Sequence, residues 1–131
     1  MSENGYEGLL TCGTRLRKAL LDDAEFRAMT DRVIPVVTQI DQPLPFVTYF
    51  RAGVSMTPVK GTRGPASVSY QFQIYTAEWP EGARIAARML EVLDGYADEG
   101  IRSCVLTDSV ENHDPSVPAF MQVLTFEVRP R

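Results

Sequence analysis

A change of hydrophobic period within residues 67–96 limits what this chain can fold into more than any other feature of its sequence. Residues 67–74 alternate strictly between polar and apolar, which is typical of a strand with one buried face. After Pro80, which suits the first turn of a helix, apolar residues recur at the spacing of an amphipathic helix. The positions that carry the two patterns are Val68, Tyr70, Phe72 and Ile74, then Ile85, Met89, Val92 and Tyr96. The sequence therefore predicts one strand that leads directly into one helix, and the pair forms a packing layer.

Length and charge set the class of protein. The chain has 131 residues, a common size for one domain, so we expect a single domain over residues 1–131. No run approaches the roughly 18 apolar residues that span a bilayer, and residues 1–10 do not resemble a secretory signal. The net charge of −4 argues against a surface devoted to duplex nucleic acid. These features predict a protein of the cytosol with no membrane span.

The remaining pattern predicts further helices and strands around this unit. Leucines predict a helix over residues 6–21, although Gly8 and Gly13 weaken the pattern. Aspartates at 22 and 23 can cap a second helix over 24–29. Strands are predicted at 33–37, 46–50, 101–106 and 117–128, with a polar turn at 108–116 and a long hairpin connection at 53–66. We therefore expect an α+β fold, in which an antiparallel or mixed β-sheet has helices packed on one face and a long β-hairpin loop.

Few residues offer chemistry. His113 is the single histidine, so a catalytic base of that type would have to be this residue, but its Asn- and Asp-rich surroundings indicate a solvated turn. Cys12 and Cys104 lack zinc-type spacing and are expected to be reduced and buried. The glycine-rich segment 61–65 lacks the Lys-Ser/Thr pair of a phosphate loop. We therefore predict no catalytic residue, no cofactor site and no metal site.

The last predicted strand has apolar residues on both of its faces. Met121 and Val123 lie opposite the face that carries Phe120, Leu124 and Phe126. A strand of this kind is either covered twice or meets another subunit. Met121 and Val123 are therefore candidates for a protein interface.

The order of these segments resembles the tail-completion, or head-to-tail joining, proteins of long-tailed bacteriophages and prophages. The segments that carry the likeness are residues 32–35 (RVIP), 44–49 (LPFVTY), the glycine-rich loop 53–66, the strand 68–75, the helix 83–95 that ends in Leu-Asp-Gly, and the final hairpin 105–128. The likeness covers nearly the whole chain and depends on packing and turn positions. It brings no active site with it.

The resemblance implies a structural protein of the virion tail that is assembled in the host cytoplasm. It implies a ring of six copies that caps the tail tube, contacts the tail tube protein and the head-tail connector protein, and at most lets nucleic acid pass through its lumen. A ring subunit needs apolar patches or exposed strand edges that meet its neighbours. On this basis the long loop, with Met56, Lys60 and Arg63, joins Met121 and Val123 as a predicted interface.

Two other classes of function stay open from the sequence. A small-ligand-binding or regulatory α+β domain would need a concave apolar pocket with convergent polar groups. A hydrolase would depend on His113, and a Cys104–His113 pair would be its nucleophile and base.

Overall fold

A computed structural model describes residues 5–35, 43–56, 66–114 and 119–131. Its elements in chain order are α1 (Gly5–Thr11), α2 (Gly13–Asp22), α3 (Ala24–Met29), β1 (Val33–Pro35), β2 (Phe46–Met56), β3 (Ala66–Thr76), α4 (Trp79–Leu93), β4 (Ile101–Asp114) and β5 (Ala119–Pro130). In the described ranges no helix is long and apolar enough to cross a membrane. The predicted α+β class is confirmed.

The strands form a mixed sheet in the order β1-β2-β3-β5-β4. The β1 strand runs parallel to β2, and each of the other neighbouring pairs is antiparallel. In the sheet β5 lies between β4, its partner in the final hairpin, and β3, the strand that precedes α4. Four of the five strands therefore form one continuous antiparallel layer that ends in β2 on one side and β4 on the other.

The strand–helix unit predicted from residues 67–96 is present as β3 and α4. Along β3 alternate side chains are buried, from Val68 to Thr76, while their neighbours are partly exposed. Helix α4 buries Ile85, Met89 and Leu93 in the same core. Full burial of such a side chain contributes about 1.5–3 kcal/mol to stability. Helices α1 and α4 contact the sheet, and α2 and α3 pack on α4, so one face of the sheet carries the helices.

The predicted N-terminal helix is two helices that meet at Cys12. Gly13 begins α2 directly beneath the ring of Tyr70, and a Cβ atom at Gly13 would lie 2.8 Å from Tyr70 Cζ. The Tyr70 hydroxyl donates to the Leu10 carbonyl at 3.4 Å, which ties the end of α1 to β3. The glycine that weakened the helical pattern is thus required by the close approach of α2 to the sheet.

Two predicted boundaries were wrong. Residues 108–114, predicted as a turn, belong to β4, which pairs with β5 as far as Asp114↔Ala119. Residues 51–56, mostly assigned to a loop, extend β2 to Met56. Cross-strand pairing overrides the turn-like composition in both places. The tip of the predicted hairpin loop, residues 57–65, and part of the predicted strand 33–37 lie outside the described residues.

Arg88 joins two helices through a cluster of carboxylates. The Asp23 side chain caps α3 by accepting from the Phe26 N–H at 2.8 Å, and it also accepts from Arg88 Nη2 at 2.7 Å and Nε at 2.8 Å. The same guanidinium lies 2.6 Å from Glu91 and 3.3 Å from Glu25. The hydrogen bonds from Arg88 lower the pKa of Asp23 to about 2. One arginine therefore fixes α3 against α4.

We predict that Gly13→Ala destabilises the fold. The added methyl group would overlap the Tyr70 ring, which is buried and cannot rotate away, and overpacking of this kind costs about 1–3 kcal/mol. Gly53→Ala is the matched control, because a Cβ atom at Gly53 meets nothing within 4 Å. Urea unfolding of the two variants measures the difference. Equal stability of both would contradict the close approach of α2 to β3.

We predict that the Asp23 contribution to stability is lost in acid. Because the folded-state pKa is depressed to about 2 from 3.8, the contribution is present above pH 3.8 and disappears as the pH falls towards 2. Asp23→Asn keeps a good N-cap and removes the charge, so wild type should exceed this variant in stability at pH 6 and match it near pH 2. Asp22→Asn, at an exposed neighbour paired with Lys18, is the control. If wild type were more stable than Asp23→Asn by the same amount at pH 6 and pH 2, the ionised Asp23 carboxylate would not be the source of the stability.

Candidate interaction surface

The face of the sheet opposite the helices carries an apolar patch. On β5, Met121 and Val123 alternate with the core residues Leu124 and Phe126, so both point to this open face and are partly exposed. Their neighbours across the strands are Tyr75 opposite Met121, and Val110 opposite Val123. We call Tyr75, Val110, Met121 and Val123 the open-face patch. The structure thus places Met121 and Val123, both predicted as interface residues, side by side on one face. Tyr75 and Val110 lie next to them and were not predicted.

Polar side chains border this patch in an ordered row. Gln73 Oε1 accepts from Thr48 Oγ1 at 3.0 Å and from the Tyr75 hydroxyl at 3.4 Å, and Gln73 Nε2 donates to Gln71 Oε1 at 3.3 Å. The Tyr75 ring also stacks on Phe46 with centroids 4.7 Å apart. These contacts hold the open face in one conformation, which favours docking of a partner because little side-chain entropy remains to be lost.

Met56 lies far from the open-face patch. It pairs with Ala66 at the end of the β2–β3 hairpin, whereas Met121 pairs with Tyr75, nine residues along β3. At about 3.3 Å per residue this separation is about 30 Å, and Ala66 belongs to the face of β3 that carries Val68 and the core. Met56 therefore lies outside the open-face patch of its own copy, and its role at an interface stays a prediction. The other two predicted interface residues, Lys60 and Arg63, lie outside the described residues.

An exposed tryptophan at the start of α4 was missed in the sequence prediction. Trp79 exposes 47% of its surface, and its Nε1 donates to the Glu111 carboxylate, which also accepts from Gln122 Nε2 at 3.0 Å. The contact depends on the extension of β4 through Glu111, a position that was predicted to be a turn. The sequence did place Trp79 directly before Pro80 at the predicted start of the helix, and this position could have indicated an exposed tryptophan.

The residues considered for catalysis are not arranged for it. His113 lies on β4, exposed and packed beside Phe120 with ring centroids 5.1 Å apart. Cys104 is buried nine residues earlier on the same strand, about 30 Å away at strand spacing, and burial raises the pKa of its thiol to about 12. The proposed Cys104–His113 pair is therefore wrong. Cys12 is buried as well, and both cysteines are free, as predicted.

The described ranges contain no cluster of metal ligands, and the side chains that line the groove between α2 and α4 are already paired. No group of three or more potential metal ligands occurs there. A groove between α2 and α4, with a volume of about 380 Å³, is lined by Asp23, Arg88 and Glu91, which already bind one another. Every buried side-chain polar atom of the described residues has a hydrogen-bond partner. No observation therefore favours the small-ligand alternative.

The fold is shared with two proteins of known structure. It matches a chain of the virion of the native gene transfer agent (GTA) particle with a TM-score of 0.72 and 18% identity, over 88% of this chain and 90% of the other. It also matches the bacteriophage SPP1 gp17 protein with a TM-score of 0.57 and 15% identity, over 89% of this chain and 86% of the other. No protein-family model matches the sequence. No curated protein matches it either.

These matches establish the fold along nearly the whole chain. The sequences are too dissimilar to carry residue roles across, so the likeness is one of architecture. The fold that the tail-completion resemblance implies is confirmed, and both neighbours belong to a virion or a bacteriophage.

Proposed function

We propose that this chain is a structural protein of a phage or prophage tail, which forms a ring that caps the tail tube and joins it to the head connector. The observation that carries the proposal is the fold shared with a virion chain over 88% of this protein. The tail-completion resemblance, which covers nearly the whole chain, supports a place at the junction of head and tail. The proposed location is the tail of the virion after assembly in the host cytoplasm.

The proposed partners are other copies of the chain, in a ring of six, together with the tail tube protein and the connector protein. The open-face patch supports a role in docking, because it is apolar and is covered by no helix in the described part of the chain. Val110 in this patch exposes 48% of its surface. Aromatic and aliphatic side chains held in a fixed polar frame are common at the centres of protein interfaces.

A structural role also agrees with the chemistry of the described residues. The buried cysteines are protonated thiols, and the exposed histidine has an aromatic neighbour rather than a nucleophile. We therefore propose that the protein acts by assembly and that its activity is measured by particle joining rather than by turnover.

We predict that loss of the gene from the phage or prophage that carries it leaves separate heads and tails. Electron microscopy of lysates should show full-length tails with an open end, and a plasmid copy of the wild-type gene should restore joined particles. Normal particles in the absence of the gene would refute the proposed function.

We predict that Val123→Asp fails to restore joining in the same assay. A carboxylate in the centre of the open-face patch would have to be desolvated on docking, and the number of joined particles should fall about tenfold or more. Ser67→Asp is the matched control, because it places the same charge on the same face at the far end of β3. The melting temperature of both variants should stay near that of wild type. Full complementation by a folded Val123→Asp variant would rule out the patch as a docking site.

A further inference from the structure

The sheet ends in two edges that lack a strand partner among the described residues. On one side β1 pairs only with Val47–Tyr49 of β2, so the remaining part of β2 has a free outer edge. On the other side β4 pairs with β5 and with no further described strand, but the segment that follows α4 binds outer backbone groups of Ile101, Cys104 and Leu106, so the free part of β4 is residues 107–114. An unpaired edge presents backbone N–H and C=O groups that are ready to bind another strand.

The free part of β2 has an irregularity between Arg51 and Gly53, but beyond it no charge or proline protects the edge. Every residue from position 51 to 56 is exposed, and between Ala52 and Met56 there is neither a charged residue nor a proline. Val47 donates its N–H to the Arg32 carbonyl, so the backbone N–H and C=O of this residue point away from β3. Val47 pairs with Ile74 and Val54 with Val68, an even number of residues along β3, so the backbone groups of Val54 point away from β3 as well. The outward backbone groups of Val54 therefore lack a strand neighbour in the described structure.

The two edges run in opposite directions. Each step from β2 through β3 and β5 to β4 is antiparallel, and three such steps reverse the direction of the strand. A second copy placed beyond β4 in the same orientation would consequently present its β2 antiparallel to β4. The same contact would be repeated by each following copy, and such head-to-tail contacts close into rings when the rotation between copies allows it.

The charges at the two edges are complementary. Arg51 on β2 forms no ion pair with any described residue, and Glu111 on β4 lies on the same helix-bearing face of the sheet. Edge pairing therefore brings opposite charges to one face. Arg51 also lines a groove of about 360 Å³ together with Leu10 and Tyr49, at the start of the free part of β2.

We infer that copies of this chain bind one another by antiparallel pairing of the free β2 edge, residues 51–56, with the free β4 edge, residues 107–114, of the next copy. The inference rests on the proposed function, since it names the contact that would build the ring. Pairing of β4 with β4 across a two-fold axis is the alternative, but it would stop at a dimer and leave β2 uncovered.

Cysteine cross-linking between copies tests this contact. Ser55 on β2 and both Val110 and Asn112 on β4 lie on the open face, and the two β4 side chains are exposed. Purified chains carrying Ser55→Cys are mixed with chains carrying Val110→Cys or Asn112→Cys and oxidised. Opposed residues of antiparallel strands are close enough for a disulfide.

The expected result is a cross-linked heterodimer in at least one of the two mixtures. When one chain carries both Ser55→Cys and the β4 cysteine, oxidation should give a ladder of cross-linked oligomers up to a closed ring. Wild type is the first control, since Cys12 and Cys104 are buried. Ser109→Cys is the second, because it lies on the opposite face of β4 and should not cross-link to Ser55→Cys. A dimer formed by a β4 cysteine alone, or the absence of cross-links in both mixtures, would overturn the inference.

A proline substitution provides a second test that does not depend on register. Val54→Pro removes an outward N–H and leaves the ladder to β3 intact, whereas Val54→Thr keeps the N–H. Light scattering over a range of concentrations should show assembly of wild type and Val54→Thr but a monomer for Val54→Pro. Assembly of all three would overturn edge pairing. Failure of particle joining by a chain that still forms rings would instead point to the docking surfaces of the proposed function.

Discussion

Burial of α4 against the centre of the sheet is the interaction on which the rest of the structure depends. Ile85, Met89 and Leu93 fill the space over β3 and β5, where Phe72 and Phe126 meet edge to face with centroids 5.8 Å apart. Helices α2 and α3 pack on α4, whereas α1 contacts β3 directly. The Arg88 cluster adds a polar clamp at the outer side of the same helix, where partial exposure keeps the desolvation of four charges small.

Placing the helices on one face has two consequences for the other parts of the sheet. The open face has no helical cover in the described ranges, so its residues must tolerate water, and a row of glutamine and threonine side chains beside the open-face patch meets this requirement. The edges are also partly uncovered, since β1 pairs with only three residues of β2 and residues 107–114 of β4 have no outer strand neighbour there. The fold is stable through its core while its outer strands retain backbone groups that can bind.

The sequence predicted structure well where the hydrophobic pattern is local. It predicted structure poorly where a segment depends on pairing with a distant strand. The period change at residues 67–96 predicted β3 and α4 nearly to their ends, because one strand face and one helix face are buried together. The run that contains Asn112 and His113 has the composition of a turn, yet its pairing with β5 makes it a strand. Strand order cannot be read from one sequence, so neither the free edges nor the wide separation of Met56 from Met121 could be predicted. The glycine at position 13 weakened a helix in the sequence, and only the position of Tyr70 explains it.

Under the proposed edge pairing, contacts between copies and contacts with other partners would use different parts of the sheet. Pairing through strand edges uses groups that lie in the plane of the sheet, and it leaves the open-face patch uncovered in every copy. Met121 and Val123 would then be repeated around the assembly on one continuous surface, available to a partner that is not a neighbouring copy. If the end of the tail tube or the connector shares the symmetry of the ring, each of its subunits can contact one open-face patch. Weak contacts at each patch would then add through multivalency, so a modest patch can hold two large assemblies together.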